Sequence, residues 1–379
     1  MKKLPITTLI ALLGCSTFAK PADDSISALL TVGSKGQGNE AASLAWPKVA
    51  KLGPERLPDL LSAMNKANGI GQNWLRAAVD TIAENSIKKG KKLPASELEK
   101  FLKDSKHSPA ARRLAFELLQ KSMPGRAAKL VPSFINDPAP QLRRDAVKLV
   151  LDDAKEESEK ESACNLFDKA LRAARDVDQI QDAVKALRER GREVDLPKVM
   201  GFLMRWKVIG PFDNTDRKGF GVSYPPEEKI DYSATYKGKE AQAKWIAFAT
   251  SNEYGMVDVN LEYGELKEVV AYAHTTFASP EAKSVQFRLG CKNAWKIWLN
   301  GELLFARDEY HRGMRIDQYS IDANLKKGKN EILVKLCQNE QKESWTKQWQ
   351  FQLRVTDSSG TAVLASNRGP TPKPSSKKR

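Results

Sequence analysis

Histidine and cysteine are both scarce in this chain, and their scarcity narrows its chemistry. Among 379 residues there are three histidines, His107, His274 and His311, and four cysteines. No two histidines have the spacing of metal ligands and no cysteine cluster accompanies them, so a zinc site is not expected. A G-x-S-x-G elbow, a Walker sequence and a dinucleotide-binding glycine pattern are all lacking; the glycines from Gly33 to Gly38 have neither the spacing nor the context. Carboxylates are plentiful, yet nothing nominates one pair as the acid and base of a glycosidase. Neither catalysis nor a bound cofactor is therefore expected. Beyond the N-terminus no apolar run is long enough for a membrane-spanning helix.

What is present in excess is positive charge. The formal net charge is +15, which raises the question of an anionic partner. Part of the excess sits in a stretch without acids, at Arg368, Lys373, Lys377, Lys378 and Arg379. Residues 366–379 accordingly read as a disordered, solvated basic tail. At the other end Lys2 and Lys3 precede an apolar run from Leu4 to Leu13, and Thr17-Phe18-Ala19 offers a small-residue cleavage site. Residues 1–19 read as a signal peptide, and the mature protein as exported, periplasmic or extracellular. Leu12-Leu13-Gly14-Cys15 also resembles a lipobox, in which Cys15 would carry the lipid anchor; simple cleavage is the preferred reading.

From residue 25 to residue 191 the periodicity is helical. Pro54, Pro94, Pro109 and Pro124 stand where helices begin. Leu98, Phe101 and Leu102 form one apolar stripe, and Leu114, Ala115 and Leu118 another. The segment PAARRLAFELL from Pro109 aligns with PQLRRDAVKLV from Pro140, so that Arg112-Arg113 falls on Arg143-Arg144 and Ala115 on Ala146. A looser copy begins at Trp74. Helix pairs repeated in this way predict an α-solenoid, and the pattern resembles HEAT-type repeats, with Asp137-Pro138 in the intervening turn. The paired arginines are expected to tie one repeat to the next, and the repeat surface is a candidate for a protein partner. Cys164, among Ala163, Leu166 and Phe167, reads as a small core residue.

Beyond Phe202 the period becomes that of strands. Val285, Phe287 and Leu289 alternate with Gln286 and Arg288, Ile297 and Leu299 alternate with Lys296 and Trp298, and Asn300-Gly301 is the pair a type I′ hairpin requires. Further strands are predicted over residues 202–209, 269–277, 284–290, 317–325, 331–338 and 350–356, with a long irregular segment rich in Gly, Pro and Tyr up to about Gly264. The fold class is thus α+β multidomain, an all-α solenoid followed by an all-β jelly-roll sandwich over residues 202–365. Cys291 shares the phase of Phe287 and Leu289, whereas Cys337 is out of phase with Ile332, Val334 and Leu336, so no disulfide is expected. Asp213-Asn214-Thr215-Asp216 falls short of a calcium loop and reads as a turn closed on its own side chains.

WKVIGPFDN from Trp206, Gly219-Phe220, YPPE from Tyr224, WKIWLNG from Trp295 and WQFQLRVTD from Trp349 resemble a sandwich module similar in outline to galactose-binding-like and PA14-like domains. Such modules often accompany polysaccharide-degrading enzymes, so the resemblance implies a carbohydrate ligand. The candidate ligand residues lie beside the hairpin: Asn293 and Trp295 before it, Asp308, Tyr310, His311 and Arg312 after it, and Asp317 at the next strand. Aromatic plates beside amides and carboxylates suit a sugar, whose C–H face stacks and whose hydroxyls need paired donors and acceptors. Basic residues among aromatics also suit single-stranded nucleic acid, a partner the export signal argues against. The expected function is non-catalytic carbohydrate binding with the helices as scaffold. The alternative is a protein-interaction scaffold with a structural sandwich.

Overall fold

The structure is a computed structural model that describes residues 24–373; the expected leader over residues 1–19, Cys15 within it, and residues 374–379 lie outside the described residues. The chain divides into two compact units, Met1–Leu142 and Arg143–Arg379. An N-terminal helical region is followed by a C-terminal β-sheet region, and no helix among the described residues is long and apolar enough to cross a membrane.

The first unit contains α1 (Asp24–Leu30), α2 (Asn39–Val49), α3 (Leu57–Ala63), α4 (Gly69–Lys88), α5 (Ala95–Lys103), α6 (Pro109–Ser122) and α7 (Pro124–Leu130). Proline occupies the first turn of α6 and of α7, where its missing N–H forfeits no helical hydrogen bond. Asn68 caps α4 by accepting from the backbone N–H groups of Ile70 and Gly71. The stripes of α5 and α6 are buried as their spacing requires. Arg112, one of the repeat arginines, is buried with them. It donates to both carboxylate oxygens of Asp137 at 2.7 Å and, through Nε, to the Leu102 carbonyl at 2.8 Å. The acid of the Asp137-Pro138 turn is thereby fixed to α6, so this arginine is a structural tie.

The second copy of the repeat lies on α8 (Pro140–Glu156), which the division between the units crosses. α9 (Lys160–Ala173), α10 (Val177–Glu189) and the short α11 (Leu196–Met200) follow. Arg144 donates to both oxygens of Asp178, at 2.9 and 2.5 Å. These last helices belong to the same unit as the sheets, through Arg175 to Thr361 at 3.0 Å, Gln181 to Tyr254 at 2.7 Å and the Arg188–Glu253 ion pair at 2.6 Å.

Among the described residues twelve strands follow: β1 (Arg205–Asp213), β2 (Thr235–Lys237), β3 (Gln242–Lys244), β4 (Ile246–Ala249), β5 (Val257–Asp258), β6 (Val269–Ser279), β7 (Lys283–Cys291), β8 (Ala294–Leu299), β9 (Glu302–Arg307), β10 (Tyr319–Leu325), β11 (Gly328–Gln338) and β12 (Gln350–Thr356). A six-stranded sheet has the order β4-β1-β6-β11-β8-β9, a four-stranded sheet the order β10-β7-β12-β5, and β2 pairs with β3. Alternation decides what lies between the two larger sheets. Val285, Phe287 and Leu289 of β7 meet Ile297 and Leu299 of β8 and Ile332, Val334 and Leu336 of β11 in one core. Burying a side chain such as Phe287 contributes roughly 1.5–3 kcal/mol. The first strand runs further than its Gly-Pro stop suggested: β1 continues to Asp213, and its register with β6 shifts between Ile209 and Phe212, around Gly210-Pro211. A bulge absorbs the proline without ending the strand.

The outer face of the six-stranded sheet is also apolar. Ile209, Val270, Tyr272, Leu333, Cys337 and Trp298 are buried there beneath Phe220, Tyr224, Ile230, Tyr236 and Trp245. The long irregular segment after β1 is therefore a cover, which local periodicity could not show. Cys291 belongs to the inter-sheet core and Cys337 to this outer layer, and both are free thiols. This finding also corrects the localisation read from the sequence. Cys164, Cys291 and Cys337 are all buried, which argues against a lipid anchor on a surface cysteine; Cys15 lies outside the described residues.

The expected tail departs from a solvated segment over the residues that are described. Arg368 donates to the Phe202 carbonyl at 2.6 Å, Asn367 to the Thr276 carbonyl at 3.3 Å, and Thr371 to Asp195 at 2.8 Å. Paired backbone carbonyls hold it although it has little apolar surface to bury.

At the central hairpin Asn300 and Gly301 have φ of 52° and 85°, the left-handed pair a type I′ turn needs. A Cβ on Gly301 would meet nothing within 4 Å, so backbone conformation alone sets the cost of a side chain there. Gly301→Val is expected to cost about 1–2 kcal/mol, read as a lowered midpoint in chemical denaturation. An unchanged midpoint would contradict the strain argument.

Candidate functional site

The rim beside the hairpin is built by the loop leaving β9, the 3-10 turn Thr215–Phe220 and the 3-10 turn Ser344–Thr346. The structure separates the expected ligand residues into two groups. Trp295 is 0% exposed, stacked on Phe305 at 5.2 Å within the inter-sheet core, and offers no face to a ligand. Its phase is the reason: β8 begins at Ala294, so Trp295 points inward with Ile297 and Leu299. Asn293 is buried as well. It donates to Gln338 Oε1 and the Gln348 carbonyl and accepts from the Gln350 N–H, which pins the loops to each other. Asp317 is occupied by two guanidinium groups, those of Arg354 and Arg288. These three residues are structural.

Asp308, Tyr310, His311 and Arg312 remain together on the rim. Tyr310 is half-buried; its hydroxyl accepts from Asn214 Nδ2 at 3.1 Å, and the Arg217 guanidinium lies 5.3 Å from its ring centre. Burial pushes the Tyr310 phenol up, so it stays protonated. His311 has a left-handed φ of 54°, and its Nε2 lies 2.6 Å from Asn339 Oδ1. Asn339 Oδ1 also accepts from the Gln341 N–H, so it is the oxygen that faces the ring, and Nε2 carries the proton. Nδ1 is then a bare acceptor, buried and without a protein partner. Burial lowers the His311 pKa despite the Asn339 hydrogen bond, which keeps the ring neutral at pH 7.

Trp345, Arg217, Glu340 and Glu309 of the rim lay outside the sequence-based set. Trp345 is 55% exposed and stands edge-on to His311, with ring centres 5.5 Å apart. Lys267 donates to the neighbouring Thr346 carbonyl at 3.0 Å and holds the turn beneath it. A signal for it existed: Trp345 is a lone aromatic between polar residues, in phase with no strand. Charges complete the rim. Arg217 pairs with Glu340, whose carboxyl this guanidinium brings down to about 2. Glu309, between Arg307 and Arg312, is held below the ordinary range by their hydrogen bonds, against its burial. Both carboxylates are thus ionised acceptors rather than proton donors.

Among the described residues no group of three His, Cys, Asp or Glu side chains is placed to hold a metal ion. Asp213 accepts from the N–H and hydroxyl of Thr215 and pairs with Lys239 at 3.2 Å, closing its turn on itself.

The sequence matches no known protein family and no curated protein. Partial likeness to solved structures is found. A β-glucosidase from Kluyveromyces marxianus is 13% identical, with 40% of this chain and 16% of that one covered and a TM-score of 0.26. An uncultured Clostridium sp. β-glucuronidase is 14% identical, with 41% and 29% covered and a TM-score of 0.25. An α-xylosidase from Xanthomonas citri is 10% identical, with 41% and 16% covered and a TM-score of 0.19. This chain spans less than a third of the length of each of them. The likeness to these carbohydrate-active proteins is weak and partial.

Proposed function

We propose that the protein recognises carbohydrate without catalysis, at the rim formed by Trp345, His311, Tyr310 and the Arg217–Glu340 pair. The helical repeats, read as a HEAT-like solenoid, are the scaffold, and the sandwich, read as a galactose-binding-like jelly roll, carries the site. One observation supports this reading above the others: an exposed indole stands edge-on to a neutral histidine on the rim that the exposed Arg217–Glu340 pair completes. The indole offers a face for sugar C–H groups, and the arginine–glutamate pair supplies donors and acceptors for its hydroxyls.

Trp345→Ala removes the platform without opening the core, since the side chain is exposed. On a glycan array the full chain is expected to bind at least one oligosaccharide, and the variant about tenfold more weakly, equivalent to about 1.4 kcal/mol. Undiminished binding by the variant would refute the rim assignment. A protein-interaction surface on the helices is the second reading, favoured by Leu44, which is 73% exposed on α2. It would prevail if no glycan bound and a partner captured by the chain required the helices alone.

A further inference from the structure

We infer that the outer face of the six-stranded sheet, towards its β4 edge, carries a site for an oxyanion (a carboxylate, sulfate or phosphate group) held between Arg205 and Lys207. The site is independent of the rim. It is an open cavity of about 340 Å³ walled by β1, β4, β6 and Tyr232 of the covering segment, within the range of roughly 300–1,000 Å³ usual for small-molecule pockets.

Strand alternation sets the two cations side by side. Trp206 and Val208 of β1 belong to the inter-sheet core, against which their β4 partners Phe248 and Ile246 also pack. Arg205 and Lys207 therefore share the opposite face, about 7 Å apart along the strand. Each lies across from an alanine of β4, Arg205 from Ala249 and Lys207 from Ala247, and both alanines are exposed. Methyl groups leave the floor beside the two cations open. On the other side Lys207 lies across from His274 of β6, and Thr276, two residues further on, shares that face. Tyr232 stands over this row. Its hydroxyl is 2.6 Å from His274 Nδ1, and the Lys207 ammonium lies 4.2 Å from its ring centre. The sheet thus fixes the ring, and the ring holds the lysine in place.

Charge selects the class of ligand. Elsewhere on the sheets exposed cations are matched, Arg217 by Glu340 and Arg312 by Glu309. No carboxylate lines this cavity, and among the described residues neither Arg205 nor Lys207 forms an ion pair. The acids nearest to it are engaged with their own neighbours. Glu331, across from Thr276 on β11, pairs with Lys329 at 2.6 Å, and Asp231, beside Tyr232, accepts from the N–H and hydroxyl of Ser233 at 3.0 and 2.7 Å. Arg205 is exposed and gives Nη2 to the Pro370 carbonyl at 3.0 Å, which leaves the rest of its guanidinium to donate. Thr276 Oγ1 accepts from Asn367 Nδ2 at 3.2 Å, so its own hydrogen is available to an acceptor. Two unmatched cations and a hydroxyl donor suit a ligand group made of acceptors. An oxyanion meets all of them, and its paired oxygens fit the fork of a guanidinium. A neutral hydroxyl would leave both charges unmatched, and a cation would be repelled.

The three histidines give three separable imidazole signals by NMR, and His274 borders the cavity. The full chain is titrated with sodium phosphate, sodium sulfate or sodium D-glucuronate at pH 7, with sodium chloride holding the ionic strength constant. At least one of the three anions is expected to bind saturably by calorimetry and to move His274 with the same midpoint, leaving His107 in place. Preference for glucuronate would mark a carboxylate as the group recognised, and preference for an inorganic ion a sulfate or phosphate group. Lys207→Gln removes one charge and should weaken binding about tenfold. Ala249→Glu, at an exposed position across from Arg205, supplies the missing carboxylate from the chain itself and should abolish binding; it keeps the test intact should the first variant fail to fold. A His274 signal unmoved by all three anions would overturn the proposal. So would binding that persists undiminished in either folded variant. Movement of His311 alone would place the anion at the rim and overturn it as well.

Discussion

Asp317→Ala is expected to destabilise the protein by about 3–5 kcal/mol, the usual consequence of stripping one partner from a buried ion pair. The carboxylate accepts from Arg354 Nε at 2.6 Å and again from Nη2, and from Arg288 Nη1 at 3.1 Å. Arg354 is 1% exposed, with its remaining nitrogen on the Met200 carbonyl at 3.2 Å. Without Asp317 a guanidinium that cannot deprotonate is left in the interior with one carbonyl for company. Chemical denaturation of the variant should show a much lower midpoint with little change in slope. The same group imposes a pH dependence. Burial opposes its charge, but the hydrogen bonds from Arg354 outweigh it, and the folded carboxyl is held below its ordinary value. Its contribution is therefore complete above the unfolded pKa of about 3.9 and is lost as pH falls below it. A midpoint within error of the unaltered protein at pH 7 would contradict this account.

Glu227→Ala should have a comparable effect, about 3–5 kcal/mol, on the other sheet. The Lys335 side chain is wholly buried, and its ammonium donates to Glu227 Oε1 at 2.8 Å and to the carbonyls of Val222 at 2.6 Å and Phe220 at 3.3 Å. One lysine thus fastens the covering segment to the sheet, with the rings of Tyr224 and Tyr272 beside it. Burial lowers the Lys335 pKa and Glu227 opposes that shift. With the carboxylate gone the loss should shrink as pH rises, because a neutral amine is less costly to bury. Replacing both residues, Lys335→Met with Glu227→Leu, should recover most of the stability, since no lone charge remains. A double variant as unstable as Glu227→Ala would show that the carbonyl contacts, not the charge, hold the cover.

Much of the sheet region was legible because strand period and burial agree there. The alternation of Phe287 and Leu289 with Gln286 and Arg288, and the Asn300-Gly301 pair, placed β7, β8 and the hairpin with their buried faces. The phase of Cys337 correctly set it apart from Cys291. The candidate site was less legible. Trp295 shares the phase of Ile297, and its place inside β8 turns an expected ligand platform into core. Asp317 reads as a ligand residue because its partner Arg354 lies 37 positions away. Lys335 sits within an apolar strand, and only the cover arriving from Phe220 to Glu227 explains its charge there. Long-range pairing of this kind leaves no local period. Trp345 was visible as an aromatic with no stripe to join, and its place beside His311 depends on two loops meeting at the rim.

The rim reading is tested most directly by following the three histidine signals while the full chain is titrated with an oligosaccharide selected on the array. His311 should move saturably, with the same midpoint as binding measured calorimetrically, while His107 stays fixed; in Trp345→Ala the His311 shift should require about tenfold more ligand. Saturable binding that leaves His311 unmoved would contradict recognition at this rim.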